Sequence, residues 1–209
     1  MGFFKKYNWL LPLLLFTGLL LAGRIIHTRT PGLIFITWNM FLAALPLWFS
    51  YWLDFCGNKI KTWLWFGAWL VFFPNSMYII TDLFHLQKLH KIPEWYDLLL
   101  LFSAAITGAI IGYISLFNVE RFLHRQLKRR LVEIILIAVF LISGYGIYLG
   151  RYLRWNSWDI VADPFSLLDD VMDDIFHPFQ NRSCWLLTIL FGIWMYLVFR
   201  LLKQVKIQT

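Results

Sequence analysis

Long apolar stretches alternate with short polar segments over the whole chain. A helix of about 20 largely apolar residues crosses the roughly 30 Å hydrocarbon layer of a membrane. Stretches that approach this length lie at residues 9–26, 32–53, 62–80, 98–117, 131–150 and 184–202. The pattern predicts an all-α fold, a polytopic transmembrane bundle of about six helices that forms a single membrane domain over residues 1–209.

A further segment, residues 164–176, has a different pattern. Asp163 followed by Pro164 is a favourable helix start, and His177 with Pro178 ends the segment. At 100° per residue, its apolar side chains occupy one half of the helix and the aspartates the other, namely Asp169, Asp170, Asp173 and Asp174. We expect a short amphipathic helix that lies at the membrane interface with its acidic face in solvent.

The composition agrees with a membrane protein. The sequence is 60% hydrophobic and 15% charged, whereas a soluble domain carries roughly a quarter charged residues. Its 12 Trp and 9 Tyr belong to the residue types that concentrate where a bilayer meets water. The net charge of +7 lies in short clusters and accompanies no nucleic-acid-binding motif. The expected partner is therefore membrane lipid and not nucleic acid.

The distribution of Lys and Arg predicts the orientation, because basic residues are retained on the cytoplasmic side. If the N-terminus is inside, the cytoplasmic segments hold 12 of the 19 basic residues and the outer segments hold 7. Arg24 is counted among the outer residues, since its long side chain is expected to reach the interface. Both termini are therefore predicted to be cytoplasmic.

Small residues indicate how the helices pack. Ala104, Gly108 and Gly112 share one face of the fourth helix, and Gly146 and Gly150 share one face of the fifth. Membrane helices approach closely where small residues recur every four positions. We expect a tight contact between these two helices.

The polar residues of the segment Phe73–His85 form a candidate site. Pro74 interrupts the backbone hydrogen bonds of the third helix. Beyond it, Asn75, Tyr78, Asp82 and His85 follow at intervals of three, four and three residues, so they share one helical face. Ionisable groups at membrane depth are costly and usually face a cavity or a partner. A polar stripe is predicted at the outer end of this helix.

Two other outer segments carry similar residues. Asp97 lies just before the fourth helix, and a polar run follows the fifth. Asp82, His85 and Asp97 are the candidate catalytic residues, with His85 a proton-transfer group or metal ligand. The candidate substrate-binding residues are Asn75, Tyr78, Arg151, Arg154, Trp155, Asn156, Trp158 and Asp159. If the fifth helix continued, one side of it would carry Arg151, Arg154, Trp155, Trp158 and Asp159. Asp82 or Asp97 could then pair with Arg151 or Arg154.

Several of these candidate site residues also have a purely structural interpretation. Asn156 and Asp159 have the spacing of a helix start with an acidic first turn. Arg151 and Arg154 would then anchor a helix end at the headgroups, and His85 would be an ordinary interfacial histidine. The sequence does not define a cofactor or a metal.

The same residues carry a family resemblance. The runs FPNSMYIITDLFHL at 73–86, WYDLLLL at 95–101 and GIYLGRYLRWNSWD at 146–159 resemble an uncharacterised bacterial family of integral membrane proteins, domain-of-unknown-function family 1361. The resemblance covers nearly the whole chain. It implies a multi-pass protein of the bacterial cytoplasmic membrane and implies no activity.

Three functional hypotheses follow. In the first, the outer polar residues bind a lipid headgroup or lipid-linked anion, and Arg151 and Arg154 bind its negative charge. In the second, Pro74 and Asn39 mark the pathway of a small-solute transporter, although no internal repeat supports it. In the third, the polar residues lock helices together in a non-catalytic assembly or accessory protein.

Overall fold

The structure is a computed structural model that describes residues 2–88 and 92–208, and every element within these ranges is helical. The helices are α1 (Phe3–Tyr7), α2 (Leu11–Thr28), α3 (Phe35–Trp52), α4 (Lys59–Tyr78), α5 (Glu94–Gln126), α6 (Arg129–Tyr148), α7 (Asp159–Ala162), α8 (Pro164–Phe176) and α9 (Arg182–Gln208). A 3₁₀ turn, Asn8–Leu10, joins α1 to α2, a longer 3₁₀ segment, Ile79–Lys88, extends α4, and a π-helical turn, Leu149–Leu153, extends α6. The predicted all-α fold is confirmed.

The chain is a multi-pass membrane protein. Within the described residues, five helical segments are long and apolar enough to cross a membrane, and these are Phe3–Thr28, Lys59–Leu86, Glu94–Gln126, Arg129–Leu153 and Arg182–Val205. The predicted stretch at 32–53 forms α3, which is 18 residues long and includes Asn39, Pro46 and Ser50. This helix is not among the five membrane-length segments of the described residues. A sixth membrane crossing therefore stays a prediction.

The chain folds as two compact units, Met1–Phe122 and Leu123–Thr209, here called unit 1 and unit 2. In unit 1, α3 packs along α4. A buried cluster joins α2, α3, the 3₁₀ segment and α5, and it contains Leu21, Leu33, Ile36, Ile79, Leu100, Leu101 and Ala104. Because the cluster draws on four elements that are far apart in sequence, it fixes their relative positions.

The small face of α5 packs against α4. A Cβ atom added at Gly108 would lie 2.5 Å from Cγ2 of Ile79, and one at Gly112 would lie 2.8 Å from Met77 and Ser76. The side chains and backbone of α4 and its extension thus occupy the space that the missing Cβ atoms leave. The tight contact predicted between the apolar stretches at 98–117 and 131–150 stays a prediction.

Neutral hydrogen bonds also join the helices of unit 1. The indole nitrogen of Trp69 donates to Ser115 Oγ at 3.1 Å, and Ser76 Oγ donates to the Ala43 carbonyl at 2.9 Å. The amide of Asn118 donates to Tyr7 Oη at 2.9 Å and to Ser50 Oγ at 3.1 Å. Such bonds between helices contribute modestly, about 1 kcal/mol each in a membrane.

Unit 2 is built on the contact between α6 and α9. The helices approach so closely at Gly144 that an added Cβ would overlap the carbonyl oxygen of Thr188. Gly192 of α9 faces Leu141 and the Phe140 carbonyl in the same way. The two glycines therefore set the distance between the helix axes.

We predict that Gly144→Ala destabilises the protein by about 1–3 kcal/mol, because the new methyl group meets backbone that cannot rotate away. Thermal unfolding in detergent would measure the loss. Gly67→Ala is the matched control, since a Cβ at Gly67 meets nothing within 4 Å. Equal melting temperatures for the two variants would contradict the packing described.

Candidate functional site

Asp82 is a buried carboxylate held by another helix. Its side chain is 2% exposed and lies in the 3₁₀ segment that extends α4. Asn39 of α3 donates from Nδ2 to Asp82 Oδ2 at 2.7 Å. A buried carboxylate needs such donors, since an unpaired charge in an apolar surrounding is very costly. The bond explains why α3 carries an amide in its apolar sequence.

His85 lies beside Asp82 because residues three apart overlie one another in a 3₁₀ helix. Its Nδ1 atom is 3.2 Å from the Asp82 carbonyl oxygen and 3.9 Å from Oδ1. The ring packs on Phe35, and the side chain is 32% exposed. In the tautomer with its proton on Nδ1, the ring donates to Asp82 and presents the Nε2 lone pair on its opposite edge. This arrangement can accept and return a proton.

Asp97 pairs with Arg24. Arg24 Nε lies 2.6 Å from Asp97 Oδ1, and Nη2 lies 3.3 Å from Oδ2, with both side chains buried. Arg24 was predicted to reach the interface, and it is instead enclosed between α2 and α5. The two-point bond to a carboxylate offsets the cost of burying the guanidinium. Asp97 is thus held by Arg24 within unit 1. The pairing of Asp82 or Asp97 with Arg151 or Arg154 stays a prediction.

A cavity of about 240 Å³ lies beside the ion pair. It is lined by Gly23, Arg24, His27, Ile92, Pro93 and Tyr96. The Tyr96 hydroxyl donates to the Leu20 carbonyl at 2.8 Å, which fixes the ring against α2. Arg24 Nη1 is buried and has no hydrogen-bond partner among the described residues. The sequence analysis did not include Arg24 among the candidate site residues. A charged residue inside an otherwise apolar helix could have indicated it.

Both polar pairs adjoin the same buried cluster of unit 1. Arg24 lies between Leu21 and Ile25 of α2, and Asp97 lies one turn before Leu100. Leu83, next to Asp82, and Phe35, on which His85 packs, also contact the cluster. Apolar packing therefore holds the two carboxylates and their partners in place.

In unit 2 the polar run after α6 does not form the predicted helical face. Arg154 adopts a left-handed conformation, with φ of 64°, and ends the helix after Leu153. Beyond it, the Asp159 carboxylate accepts from the Asn156 backbone N–H at 2.6 Å and from its side chain at 3.2 Å. Arg151 and Arg154 therefore do not share one continuous face with the later residues. A helix does start here, at Asp159, but its N-cap is Trp158 and not the predicted Asn156, and no side chain caps it.

The acidic face of α8 is partly turned into unit 2, whereas the sequence predicted that it faces solvent. Asp174 is 3% exposed and accepts from the Tyr145 hydroxyl at 2.9 Å. Trp155 Nε1 donates to Asp170 Oδ2 at 2.7 Å, and Trp185 Nε1 donates to the Asp174 carbonyl at 3.0 Å. The aromatic donors at the ends of α6 and α9 make this burial possible. The apolar side chains Phe165, Leu168, Met172, Ile175 and Phe176 are exposed.

The remaining predicted site residues are Asn75, Tyr78, Arg151 and Trp158. Asn75 donates to the Phe72 carbonyl at 3.0 Å within its own helix, and Tyr78 is half-buried. Arg151 is half-buried, and Trp158 is exposed. Across residues 2–88 and 92–208, no three His, Cys, Asp or Glu side chains lie where they would hold a metal ion. The structure thus brings Asp82 together with His85 and gives Asp97 a cationic partner.

One protein family matches residues 38–198, about three quarters of the chain. Its description is "protein of unknown function (DUF1361)". The chain belongs to this family. The matched range contains Asn39, Asp82, His85 and Asp97, whereas Arg24 precedes it. No curated protein and no solved structure matches the chain.

We predict that Asp97→Asn lowers the free energy of unfolding by about 3–5 kcal/mol, because it leaves the Arg24 guanidinium buried without its counter-charge. Denaturant unfolding in mixed micelles would measure it. In the double variant Arg24→Gln, Asp97→Asn, the loss should be smaller than the sum of the two single losses. Strictly additive losses would mean that the two side chains do not interact.

We also predict that Tyr145→Phe loosens α8, because it removes the hydroxyl donor of a buried carboxylate at a cost of about 1–3 kcal/mol. Hydrogen exchange of the backbone amides of residues 164–176 should become faster. Tyr152→Phe serves as the control, since Tyr152 is 56% exposed and stacks on Tyr148 outside this bond. The same exchange rates in both variants would contradict the role given to Tyr145.

Proposed function

We propose that the protein binds the polar head of a membrane lipid or lipid-linked anion beside His85, and that His85 transfers a proton to or from it. The observation that carries this proposal is the buried Asp82 carboxylate, fixed by Asn39, next to a histidine that is one third exposed. Asp82 holds Nδ1, so Nε2 is the edge of the ring that a ligand meets. A positioned histidine of this kind is a common general acid or base.

The surroundings of the pair favour a lipid over a water-soluble ligand. The pair lies at the end of the membrane-length segment Lys59–Leu86. Exposed aromatic and aliphatic side chains flank it in sequence and on the adjoining helices, and these are Ile34, Trp38, Phe84 and Trp95. Aromatic side chains of this type are enriched at the level of lipid headgroups. A ligand that reaches His85 would therefore have its apolar part in contact with these residues.

The proposed location is the outer face of a bacterial cytoplasmic membrane, with both termini in the cytoplasm. The excess of Lys and Arg on the segments assigned to the inside supports this orientation. The burial of Arg24 against Asp97 increases this excess of basic residues on the inner side, because it removes one basic residue from the outer loops. If the protein is an enzyme, transfer or hydrolysis at the headgroup is the reaction class that this position favours.

Proteoliposomes made from a bacterial total lipid extract would test the proposal, with the lipid species followed by mass spectrometry over time. We expect the wild-type protein to deplete one headgroup class and His85→Gln to abolish the depletion. The amide keeps a similar shape but cannot transfer a proton at neutral pH. His177→Gln should behave as wild type.

His177 is a suitable control because it is also an exposed histidine beside an aspartate, with Nδ1 2.9 Å from Asp173 Oδ1. Equal depletion by wild type and His85→Gln would remove His85 from the mechanism. A lipid composition that the wild-type protein leaves unchanged would contradict the proposed activity itself.

A further inference from the structure

Arg24 has more hydrogen-bond donors than Asp97 uses. A guanidinium carries five N–H groups, of which two on Nη1 point away from the edge formed by Nε and Nη2. Asp97 occupies that edge, with its oxygens 2.6 Å from Nε and 3.3 Å from Nη2. Nη1 remains buried with no acceptor within the described part of the chain. A buried donor without a partner is costly. Because none of the described residues supplies an acceptor, Nη1 is available to a ligand.

The cavity next to Arg24 provides room for that acceptor. Its volume is about 240 Å³, below the roughly 300–1,000 Å³ of pockets that enclose a whole drug-sized ligand. Only a small polar group and its immediate attachment therefore fit.

We infer that the cavity beside Arg24 is a binding site for an oxyanion, in which Nη1 donates to a phosphate oxygen of a membrane phospholipid. Oxyanions are the strongest acceptors for a guanidinium, and arginine is well suited to bind phosphate while it also holds a carboxylate. Apolar groups of Gly23, Ile92 and Pro93 line the rest of the cavity and suit the carbon atoms next to the phosphate. The exposed His27 at its edge is a second donor.

This inference deepens the proposed function and rests on it for one point, the lipid nature of the ligand. Arg24 would recognise the anion, whereas His85 would exchange the proton. Binding and proton transfer are thus assigned to different side chains. Separate measurements of the two steps then test the two assignments.

The test is a native mass spectrometry titration of delipidated protein with a short-chain phosphatidylglycerol. Arg24→Lys keeps a positive charge for Asp97 but lacks Nη1, and it should weaken the lipid adduct about tenfold or more. Ile92→Trp should give a similar loss by filling the cavity while Arg24 stays intact. Ile26→Trp is the matched control on the exposed side of α2, and it should bind as wild type.

Three further titrations identify the chemistry of the ligand. Diacylglycerol with the same chains should bind much more weakly, because it lacks the phosphate. Millimolar inorganic phosphate that displaces the lipid would support a free oxyanion as the natural source, and failure to displace it would support the phospholipid. His85→Gln, titrated in parallel, shows whether the anion is held at Arg24 or at His85.

Retention of the adduct within twofold in both Arg24→Lys and Ile92→Trp would overturn the inference. So would equal binding of diacylglycerol and phosphatidylglycerol. Loss of the adduct in His85→Gln but not in Arg24→Lys would place the ligand at His85 alone, which contradicts the inference and leaves the proposed function intact.

Discussion

The ion pair between Arg24 and Asp97 is the interaction on which the candidate site of unit 1 depends. A guanidinium or a carboxylate enclosed between membrane helices must have a counter-charge, because the surroundings provide no water to stabilise it. The two residues are 73 positions apart, so their bond fixes α2 against the start of α5. The position of Nη1 beside the cavity follows from that bond.

Apolar packing and polar pairing have different roles in unit 1. The buried cluster that contains Ile36, Ile79 and Leu100 holds four elements together, but packing alone tolerates rotations of a helix. The bonds from Asn39 to Asp82 and from Arg24 to Asp97 have a single correct geometry. We therefore consider them the contacts that define the rotation of α2 and α3, and through it the direction in which His85 and Nη1 point.

The sequence was sufficient to predict the helical segments, because long apolar runs have few alternatives in a membrane. The pairing of Asp82 with His85 also followed from spacing. The partner of Asp97 did not, since periodicity within one helix says nothing about which distant helix lies opposite. Arg24 looked like an interfacial residue near a helix end, and only the position of α5 beside it shows why it is buried.

The errors in unit 2 have a similar origin. A pattern of alternating faces showed that α8 is amphipathic, but it left open which face turns inward. Tyr145 and Trp185 decide the outcome, because they offer donors to Asp174 from α6 and α9. Likewise, the run from Arg151 to Asp159 has a helical spacing, and the left-handed backbone at Arg154 interrupts it. Local patterns do not report such breaks when the residue involved is not glycine.

The central claim is that Arg24 holds Asp97 with one edge and an external oxyanion with the other. The most direct measurement is a side-chain-resolution density map of the protein in a lipid environment. We expect non-protein density about 2.7–3.2 Å from Arg24 Nη1, the ordinary donor–acceptor distance. A map in which Nη1 donates to a protein atom, or in which a side chain fills the cavity, would contradict the claim.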